Sequence, residues 1–429
     1  MLALRPGEGV IMGDPTEGTR VLVLNSGSSS LKYEVFLMPH RRSLGRGSVE
    51  RIGEEKGVLT QSSERGQLRI EERFADHGQA MKRVGLALID PSAGILADIS
   101  EVEAVGHRVV HGGEKFSNSV RIDDEVIAAI EQNAELAPLH NPANLLGIRE
   151  SQALLRTVPQ VAVFDTAFHQ TMPPSAYLYG LPRELYDKYR IRRYGFHGTS
   201  HRYVAARALE LLKRHPENSN LITCHLGNGA SITAIEAGRS IDTSMGFTPL
   251  EGLMMGTRSG DFDPAILAFL EERGYSSKDL NTMLNKKSGL LGLSGISNDL
   301  RDLEAAVDKG ISHAIQALDV YAHRARKYIG AYAAELVKVD ALVFTGGVGQ
   351  HGVRMRERIC HRLEHVGIVM DYLRNTSNGS AEGIVSQPYS PTSILVIPTN
   401  EELQIAADAF DLLFPHDHAI RRRATDVRV

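Results

Sequence analysis

The chain has 429 residues, 42% of them hydrophobic and 23% charged, and its formal net charge is −4. This composition is that of a globular protein and excludes disorder as the main state, while the lack of a basic excess argues against a general nucleic-acid binder. The length predicts two or three domains, and no run of residues approaches the roughly 20 apolar positions of a membrane span, so we expect a cytoplasmic protein without nucleic-acid or membrane partners.

The two ends of the chain are predicted to lie outside the folded domains. Residues 1–19 contain several Gly, Pro and acidic residues and lack a sustained apolar run, which indicates a disordered extension and not a signal peptide. Residues 416–429 include an arginine run and are predicted to form a flexible tail.

The predicted strands begin with the apolar run at 21–25, which ends in a Ser/Gly turn before a second strand at 31–37. The same strand–turn–strand plan recurs about 200 residues later, at 221–225 and 232–235. We interpret this recurrence as a duplicated domain core.

Strand and helix patterns alternate along the rest of the chain, which is typical of an α/β protein. Strands are predicted at 104–110, 161–164, 341–344 and 394–397, and helices at 126–137, 202–214, 305–336 and 401–413. The segment 166–200 is rich in Pro, Tyr and Gly, and we expect it to connect two domains.

Two of the predicted turns have the composition of phosphate-binding loops. Residues 25–32 read NSGSSSLK, and residues 225–231 read HLGNGAS. Small residues let backbone N–H groups approach a phosphate, and Lys32 adds a positive charge. Either turn alone could be an ordinary polar hairpin, but one such turn in each half favours a nucleotide held between the halves.

Residues 347–352 contain the pattern G-x-G-x-x-G after a predicted strand. With Asp371 about 20 residues downstream, this pattern is similar to a dinucleotide fingerprint and keeps an NAD-type oxidoreductase as an alternative function. Only about 80 residues follow, which is short for a Rossmann domain that begins at this motif.

Charged residues in Gly-rich loops are candidates for chemistry. Arg108 and Arg258 each lie among glycines, which suits bidentate contact with phosphate or carboxylate, although a surface ion pair is the simpler interpretation of either one alone. Asp165 follows a predicted buried strand, where α/β enzymes commonly place catalytic groups.

Two further pairs of polar residues could bind a metal ion. His197 and His201 have a spacing that fits zinc, but no third ligand is nearby in sequence, and a histidine facing a phosphoryl group suits the surrounding glycines better. Glu401 and Glu402 follow a predicted strand and could bind Mg²⁺, or they could be acids favoured at a helix N-terminus.

Taken as a whole, the chain resembles the acetokinase family of short-chain carboxylate kinases. The matching motifs cover roughly residues 20–413 in the family's order, and they read VLVLNSGSSSLKY, GHRVVHGGEKF, APLHNPANLLGI, VFDTAFHQTMP, YGFHGTSHRYV, HLGNGASI, TPLEGLMMGTRSGDFDP, FTGGVG and VIPTNEEL. The resemblance implies reversible, direct in-line transfer of a phosphoryl group from ATP to acetate, giving acetyl phosphate and ADP. It also implies Mg²⁺ (or Mn²⁺) as cofactor and a homodimer.

The fold implied by the resemblance is α/β, with two related domains of the actin-like, sugar-kinase and chaperone-ATPase type (ribonuclease H-like) and an active-site cleft between them. The N-terminal domain would comprise residues 20–168 plus 403–415, the terminal helix returning to it. The C-terminal, nucleotide-binding domain would comprise residues 169–402.

The resemblance also implies roles for individual residues. Asn25 and Glu401 would place the metal ion, and Asp165, His197, Arg258 and Arg108 would be catalytic. The substrate carboxylate and its methyl group would contact Arg108, Val110, Leu139, Phe196 and Pro249, with His140 near the active site. The implied nucleotide-binding residues are Lys32, His225, Leu226, Gly227, Asn228, Gly229, Asp299, Leu300, Arg301, Gly347, Val348, Gly349, Gln350 and His351.

The chain departs from the family at one motif. Family members usually read G-I-G-E-N-S where this chain has Gly347-Val-Gly-Gln-His-Gly352, and Leu300 replaces an expected Phe or Met, so the nucleotide preference stays open.

A carboxylate is already ionised at neutral pH and needs no general base. We therefore expect Asp165 to orient metal-bound water or an arginine. Propionate or butyrate kinase activity, and a non-catalytic nucleotide-dependent binding protein on the same fold, remain alternatives.

Overall fold

The structure is a computed structural model that describes residues 18–138 and 140–415. Most of the two predicted tails, and the predicted pocket residue Leu139, lie outside the described residues. The first strand begins at Thr19, one residue inside the expected extension.

Eight strands of the first half form one mixed sheet. They are β1 (Thr19–Ser26), β2 (Ser30–Met38), β3 (Arg42–Glu50), β4 (Gly57–Ser63), β5 (Gln67–Glu72), β6 (Ala104–Val109), β7 (Val120–Arg121) and β8 (Gln160–Phe164). Their order across the sheet is β5-β4-β3-β2-β1-β6-β8-β7. β1 pairs antiparallel with β2 and parallel with β6, and β6 pairs parallel with β8.

Six strands of the second half form a second sheet. They are β9 (Asn220–Leu226), β10 (Ala230–Glu236), β11 (Arg239–Thr243), β12 (Ala341–Thr345), β13 (Gly383–Ile384) and β14 (Ser393–Val396). Their order is β11-β10-β9-β12-β14-β13, and β9 pairs antiparallel with β10 and parallel with β12. The five strands β11-β10-β9-β12-β14 therefore repeat the order and direction of β3-β2-β1-β6-β8, which confirms the predicted duplication.

The helices of the described residues cover both faces of each sheet. They are α1 (His77–Leu88), α2 (Asp124–Gln132), α3 (Asn141–Leu154), α4 (Pro174–Tyr177), α5 (Arg183–Tyr189), α6 (Gly198–Leu212), α7 (Ala265–Glu271), α8 (Ser277–Lys286), α9 (Gly289–Ser294), α10 (Leu300–Asp308), α11 (Ser312–Glu335), α12 (Gly346–His351), α13 (Val353–Cys360), α14 (Tyr372–Asn378) and α15 (Glu401–Leu413). α1 packs on one face of the first sheet, while α11 and α6 pack on opposite faces of the second. None of these helices combines the length and apolar run that a membrane crossing requires.

The last helix, α15, leaves the second sheet and packs on the first. Its apolar side chains Ile405 and Phe410 are buried against β1 and β6. A Cβ at Gly106 on β6 would lie 2.6 Å from Ile405, so this close approach of helix to sheet requires glycine. Because α15 begins where β14 has ended, its N-terminus lies where the two sheets meet.

The predicted strands are all present, but two helix predictions need correction. The pattern at 305–336 is two helices, α10 and α11, because the chain turns at Gly310, where φ is +73°. Ile311 N–H donates to Ala306 O across this turn, as expected for a glycine that ends a helix. The helix predicted at 126–137 ends at Gln132 and continues as a short 3₁₀ turn.

Candidate active site between the two sheets

Arg108 and Asp165 form the centre of the site on the first sheet. Arg108 lies on β6, and Asp165 directly follows the neighbouring parallel strand β8, so their side chains meet at the carboxyl edge of the sheet. Arg108 donates from Nε to both carboxylate oxygens of Asp165 at 3.1 and 3.2 Å, and from Nη2 at 2.7 Å. This bidentate contact fixes the guanidinium plane, and Nη1 makes no hydrogen bond within the described ranges.

Glu401 approaches the same arginine from the N-terminus of α15. Its Oε2 lies 3.7 Å from Arg108 Nε. Burial would lower the pKa of Arg108, but the carboxylates of Asp165 and Glu401 outweigh it and raise that pKa. Burial raises the pKa of Glu401 to about 7, and Asp165 adds to this effect while Arg108 and Lys32 oppose it.

The residues expected to place a metal ion fit a magnesium-type cation bound mainly through water and substrate. The Asn25 side chain, at the end of β1, makes no hydrogen bond with the described residues, and the partly buried Glu401 carboxylate would gain from a nearby dication. Within the described residues, no group of three or more His, Cys, Asp or Glu side chains could enclose an ion. Mg²⁺ typically takes one or two carboxylates and completes its shell with water and phosphate oxygens.

His197 and Arg258 converge on the turn between β9 and β10. A Cβ at Gly229 in this turn would lie 3.3 Å from Arg258 Nη1 and 3.5 Å from His197 Nε2. Arg258 donates weakly to Pro249 O at 3.3 Å and has no carboxylate partner among the residues that the structure describes. An arginine that is half-buried without an acid retains its charge for an anionic ligand.

The imidazole of His197 is held in an unusual backbone conformation. His197 precedes α6 with φ +57°, in the left-handed region that non-glycine residues rarely adopt. Its ring stacks on His225 with the ring centroids 4.2 Å apart. Burial, followed by the neighbouring His225, His201, Arg108 and Arg258, lowers the pKa of His197 well below its ordinary value. The ring is therefore neutral at pH 7.

His201 is not available to a metal ion. It is fully buried, and both ring nitrogens are occupied, Nδ1 by Thr223 Oγ1 at 2.7 Å and Nε2 by Ser231 Oγ at 2.7 Å. The zinc alternative for the His197 and His201 pair is therefore wrong.

Four residues besides Arg108 are predicted to line the substrate pocket, and three of them, Val110, Phe196 and Pro249, belong to the described residues. Phe196 is buried, and Val110 packs against the core cluster that contains it. The carbonyl of Pro249 accepts from Arg258 at 3.3 Å, so this predicted pocket residue lies beside that arginine. Burial lowers the pKa of His140, and the charges of Arg108 and Arg258 lower it further.

Most of the predicted nucleotide-binding stretches meet beside the second sheet. Asn298 Nδ2 donates to Asn228 Oδ1 at 2.9 Å, which joins the turn at 225–229 to the start of α10. A Cβ at Gly346 would lie 2.7 Å from the Leu226 carbonyl oxygen, and one at Gly352 would lie 2.9 Å from the Leu300 side chain. The stretches at 225–229, 299–301 and 347–351 are therefore neighbours.

Some predicted nucleotide residues are not joined to this group. Lys32 lies on β2 and lines a cavity of about 670 Å³ with Glu402, and it makes no hydrogen bond to the described part of the second sheet. Arg301 is 89% exposed and pairs with its neighbour Asp299 at 2.6 Å. The Gly347–Gly352 pattern lies in the short helix α12 and its end, and only β13 and β14 follow it in the sheet, which is not a Rossmann arrangement.

Gln350, which stands where family members usually have glutamate, forms a hydrogen bond within the second half of the chain. Its Nε2 donates to Ser380 O at 3.1 Å. Next to it the fully buried Arg356 donates to the carbonyls of Gly349, Gln350 and Gly379 at 2.7–2.9 Å. Arg356 thus holds the end of α12 in place.

Sequence reasoning missed Asn144 as a supporting residue. Asn144 is buried, donates to Ser26 O at 2.7 Å and accepts from Val110 N at 3.0 Å, so it ties the first phosphate-type turn to the pocket. Asn144 belongs to the APLHNPANLLGI motif, where an asparagine in the first turn of an apolar helix was the available signal.

Comparison with known proteins gives matches over most of the chain. The family model described as the acetokinase family matches residues 20–407. The chain is 54% identical over 396 residues to an acetate kinase of Desulfitobacterium hafniense (strain DSM 10664 / DCB-2), covering 92% of this chain and 99% of the relative. It is 53% identical over 398 residues to an acetate kinase of Thermotoga maritima, covering 92% and 98%.

Solved structures agree with these matches. The acetate kinase of Porphyromonas gingivalis superposes with a TM-score of 0.89 at 48% identity, covering 92% of this chain and 100% of that one. A propionate kinase of Francisella tularensis superposes with a TM-score of 0.86 at 41% identity, covering 92% and 99%. The two-sheet architecture is shared with both.

Proposed function

The chain belongs to the acetokinase family, and we propose that the cleft between its two sheets carries out the family's reaction through Arg108, Asp165, His197 and Arg258. The enzyme is a phosphotransferase that moves a phosphoryl group between ATP and acetate, with acetyl phosphate and ADP on the other side of the equilibrium, and it uses a divalent cation. The oxidoreductase alternative is set aside by the family assignment.

The observation that carries the proposed site is Arg258. Phosphoryl transfer passes through a loose transition state with negative charge on the equatorial oxygens, so catalysis depends on positioning and on charge stabilisation. Arg258 keeps an uncompensated positive charge beside the Gly229 turn, and the Nε2 edge of His197 faces the same point. Together they provide a cation and a hydrogen-bond donor for the transferring group.

Arg108 and Asp165 act as one unit in this proposal. Acetate is ionised at pH 7 and attacks without a general base. Both carboxylate oxygens of Asp165 accept hydrogen bonds from Arg108, which supports an orienting role for Asp165 over a proton-accepting one. Arg108 would bind the acetate carboxylate through the donors that Asp165 leaves free, and the direct in-line geometry follows from holding both substrates in one cleft.

The divalent cation is proposed to be Mg²⁺, or Mn²⁺ in its place, near Asn25 and Glu401. When bound it would neutralise charge on the nucleotide phosphates. Glu401 lies at Arg108, whereas Glu402 lines the neighbouring cavity, which favours Glu401 of the two acids.

Acetate is the proposed substrate over longer acids. Phe196 is buried in a core cluster, Val110 packs against that cluster and is stiff at χ1, and Pro249 is fixed in φ, so the pocket should not widen freely. Propionate is the second candidate, because a propionate kinase shares the fold at a TM-score of 0.86. Lys32 and the stretches at 225–229, 299–301 and 347–351 are proposed to bind the nucleotide.

We also propose a homodimer, supported by apolar side chains exposed on and after α7. Ile266 and Phe269 on α7 and Tyr275 after it are 45–53% exposed, and exposed apolar side chains that lie together are typical of an interaction surface. Light scattering after gel filtration distinguishes a dimer from a monomer of 47.0 kDa.

The experiment that tests the function is a comparison of kcat/KM for acetate, propionate and butyrate, each with ATP and with GTP. We expect acetate first, propionate weaker and butyrate poor. A preference for butyrate would contradict the acetate assignment and leave the kinase assignment intact, whereas turnover that depends on NAD would contradict both.

A further inference from the structure

A buried chain of hydrogen bonds leads from the candidate site into the second sheet. His197 Nδ1 lies 2.9 Å from Ser231 Oγ, and the same hydroxyl lies 2.7 Å from His201 Nε2. On its other side, His201 Nδ1 lies 2.7 Å from Thr223 Oγ1. Ser231, His201 and Thr223 are fully buried, so water cannot replace any of these contacts.

The number of protons allows two arrangements of this chain when both histidines are neutral. In the first, Thr223 donates to His201 Nδ1, His201 donates from Nε2 to Ser231, and Ser231 donates to His197 Nδ1. The proton of His197 is then on Nε2, at the cleft. In the second, every bond is reversed, and His197 Nε2 is a bare acceptor.

The contacts of Thr223 favour the first arrangement, and so does the proposed function. If His201 donated to Thr223, the buried Thr223 hydroxyl would need another acceptor, and none exists among the described residues. An unsatisfied buried donor is costly. The reversed arrangement would also point the lone pair of His197 Nε2 at an anionic phosphoryl group.

The charged form of His197 is disfavoured by the neighbouring groups that carry, or can gain, a positive charge. These are His225, stacked on its ring, His201 behind Ser231, and the guanidinium groups of Arg108 and Arg258. A neutral ring can therefore serve as a donor at the cleft only if its single proton is on Nε2.

We propose that Ser231 and His201 are positioning residues that hold His197 in its neutral Nε2–H tautomer, so that it donates a hydrogen bond to the transferring phosphoryl group without carrying a charge. This inference rests on the proposed function. No proton leaves His197 during turnover, and the bond from its Nε2 strengthens as charge collects on the phosphoryl oxygens.

The tautomer can be measured directly in the full chain without substrate. Long-range ¹H–¹⁵N correlation spectra of ¹⁵N-histidine-labelled protein at pH 7 distinguish a protonated from a bare ring nitrogen, and a His197→Gln variant identifies the resonances. We expect a protonated Nε2 and a bare Nδ1. A protonated Nδ1, alone or with Nε2, would overturn the proposal. This readout needs no activity, so it separates failure of the tautomer from failure of the proposed function.

A matched pair of variants tests the positioning role in catalysis. In His201→Gln the side-chain amide can still donate to Ser231, as His201 Nε2–H does. In His201→Asn the shorter amide reaches only the Thr223 side. We expect His201→Asn and Ser231→Ala to lower kcat about tenfold to a hundredfold, less than the roughly 10²–10³ that loss of a whole transition-state donor costs. His201→Gln should retain most of kcat.

The KM for ATP and the pH profile complete the test. Because only the transition-state bond is weakened, KM should change little in His201→Asn. The kcat of the wild-type enzyme should not fall as the pH rises from about 6.5 to 8.5, since no charged histidine is required. An equal loss of kcat in His201→Gln and His201→Asn would overturn the proposal. A wild-type kcat that falls as the pH rises through this range would also overturn it.

Discussion

Replacement of Arg258 by alanine is the most informative single perturbation of the site. At an effective dielectric constant of about 20, a unit charge about 4 Å from a phosphoryl oxygen contributes roughly 4 kcal/mol. That energy corresponds to a change in rate of about 10³-fold, at the lower end of the roughly 10³–10⁵ found for arginine fingers. We therefore expect Arg258→Ala to lower kcat about 10³-fold.

The fold should tolerate this change, which keeps the test interpretable. Within the described residues, the Arg258 side chain hydrogen-bonds only to Pro249 O at 3.3 Å and Met255 Sδ at 3.7 Å. Burial lowers its pKa, so its charge is destabilising where it lies. The free energy of unfolding of Arg258→Ala should be unchanged or higher, as measured by urea denaturation.

The assay is steady-state formation of acetyl phosphate, trapped as the hydroxamate, over ranges of acetate and ATP. Arg183→Ala is the matched control, because Arg183 is 67% exposed and contacts Asp187 and Tyr186 of its own helix α5. Its kcat should remain near the wild-type value. A normal kcat in Arg258→Ala with only a raised KM would refute the transition-state role and leave Arg258 as a binding residue.

Three further outcomes are expected. Val110→Ala should shift the kcat/KM ratio from acetate towards propionate, because one more methylene finds room and adds about 0.8 kcal/mol of burial; an unchanged ratio would show that Val110 does not line the pocket. Burial lowers the pKa of His107 and of His169 to about 4. Between pH 6.5 and about 4 the unfolded chain therefore binds more protons than the folded one. As the pH drops through this range, the free energy of unfolding should fall by roughly 1.4 kcal/mol per pH unit for each histidine. Urea denaturation of His107→Gln should show a flatter fall than wild type, and the exposed His361→Gln should not. The two halves should approach each other when ADP, a carboxylate and a planar phosphoryl mimic bind, and an unchanged radius of gyration in small-angle scattering would count against this closure.

Local signals account for what the sequence predicted well. The strands that end in Ser/Gly or Gly/Asn turns combine a short apolar run with residues that cannot continue it, and both signals lie within ten or so positions. The same locality explains α15, whose boundaries Glu401–Leu413 match the predicted helix. The strand–turn–strand pattern occurs twice in the sequence, and this recurrence predicted the duplication that the two sheets show.

Long-range contacts account for what the sequence could not predict. The strands β3, β4 and β5 were missed because their alternation is weak and one face of this ribbon is polar. The contact of Glu401 with Arg108 joins residues almost 300 positions apart and exists only because α15 crosses to the first sheet. The chain from His197 to Thr223 likewise depends on how α6 packs on β9 and β10.

The central claim is that this cleft transfers a phosphoryl group from ATP to acetate, and ³¹P NMR of the reaction mixture tests it most directly. With the full chain, ATP, Mg²⁺ and acetate, the account predicts that acetyl phosphate appears in equal amounts with ADP, and that this product is nearly absent with Arg258→Ala. Release of ADP together with inorganic phosphate alone, or no consumption of ATP by the wild-type chain, would contradict it.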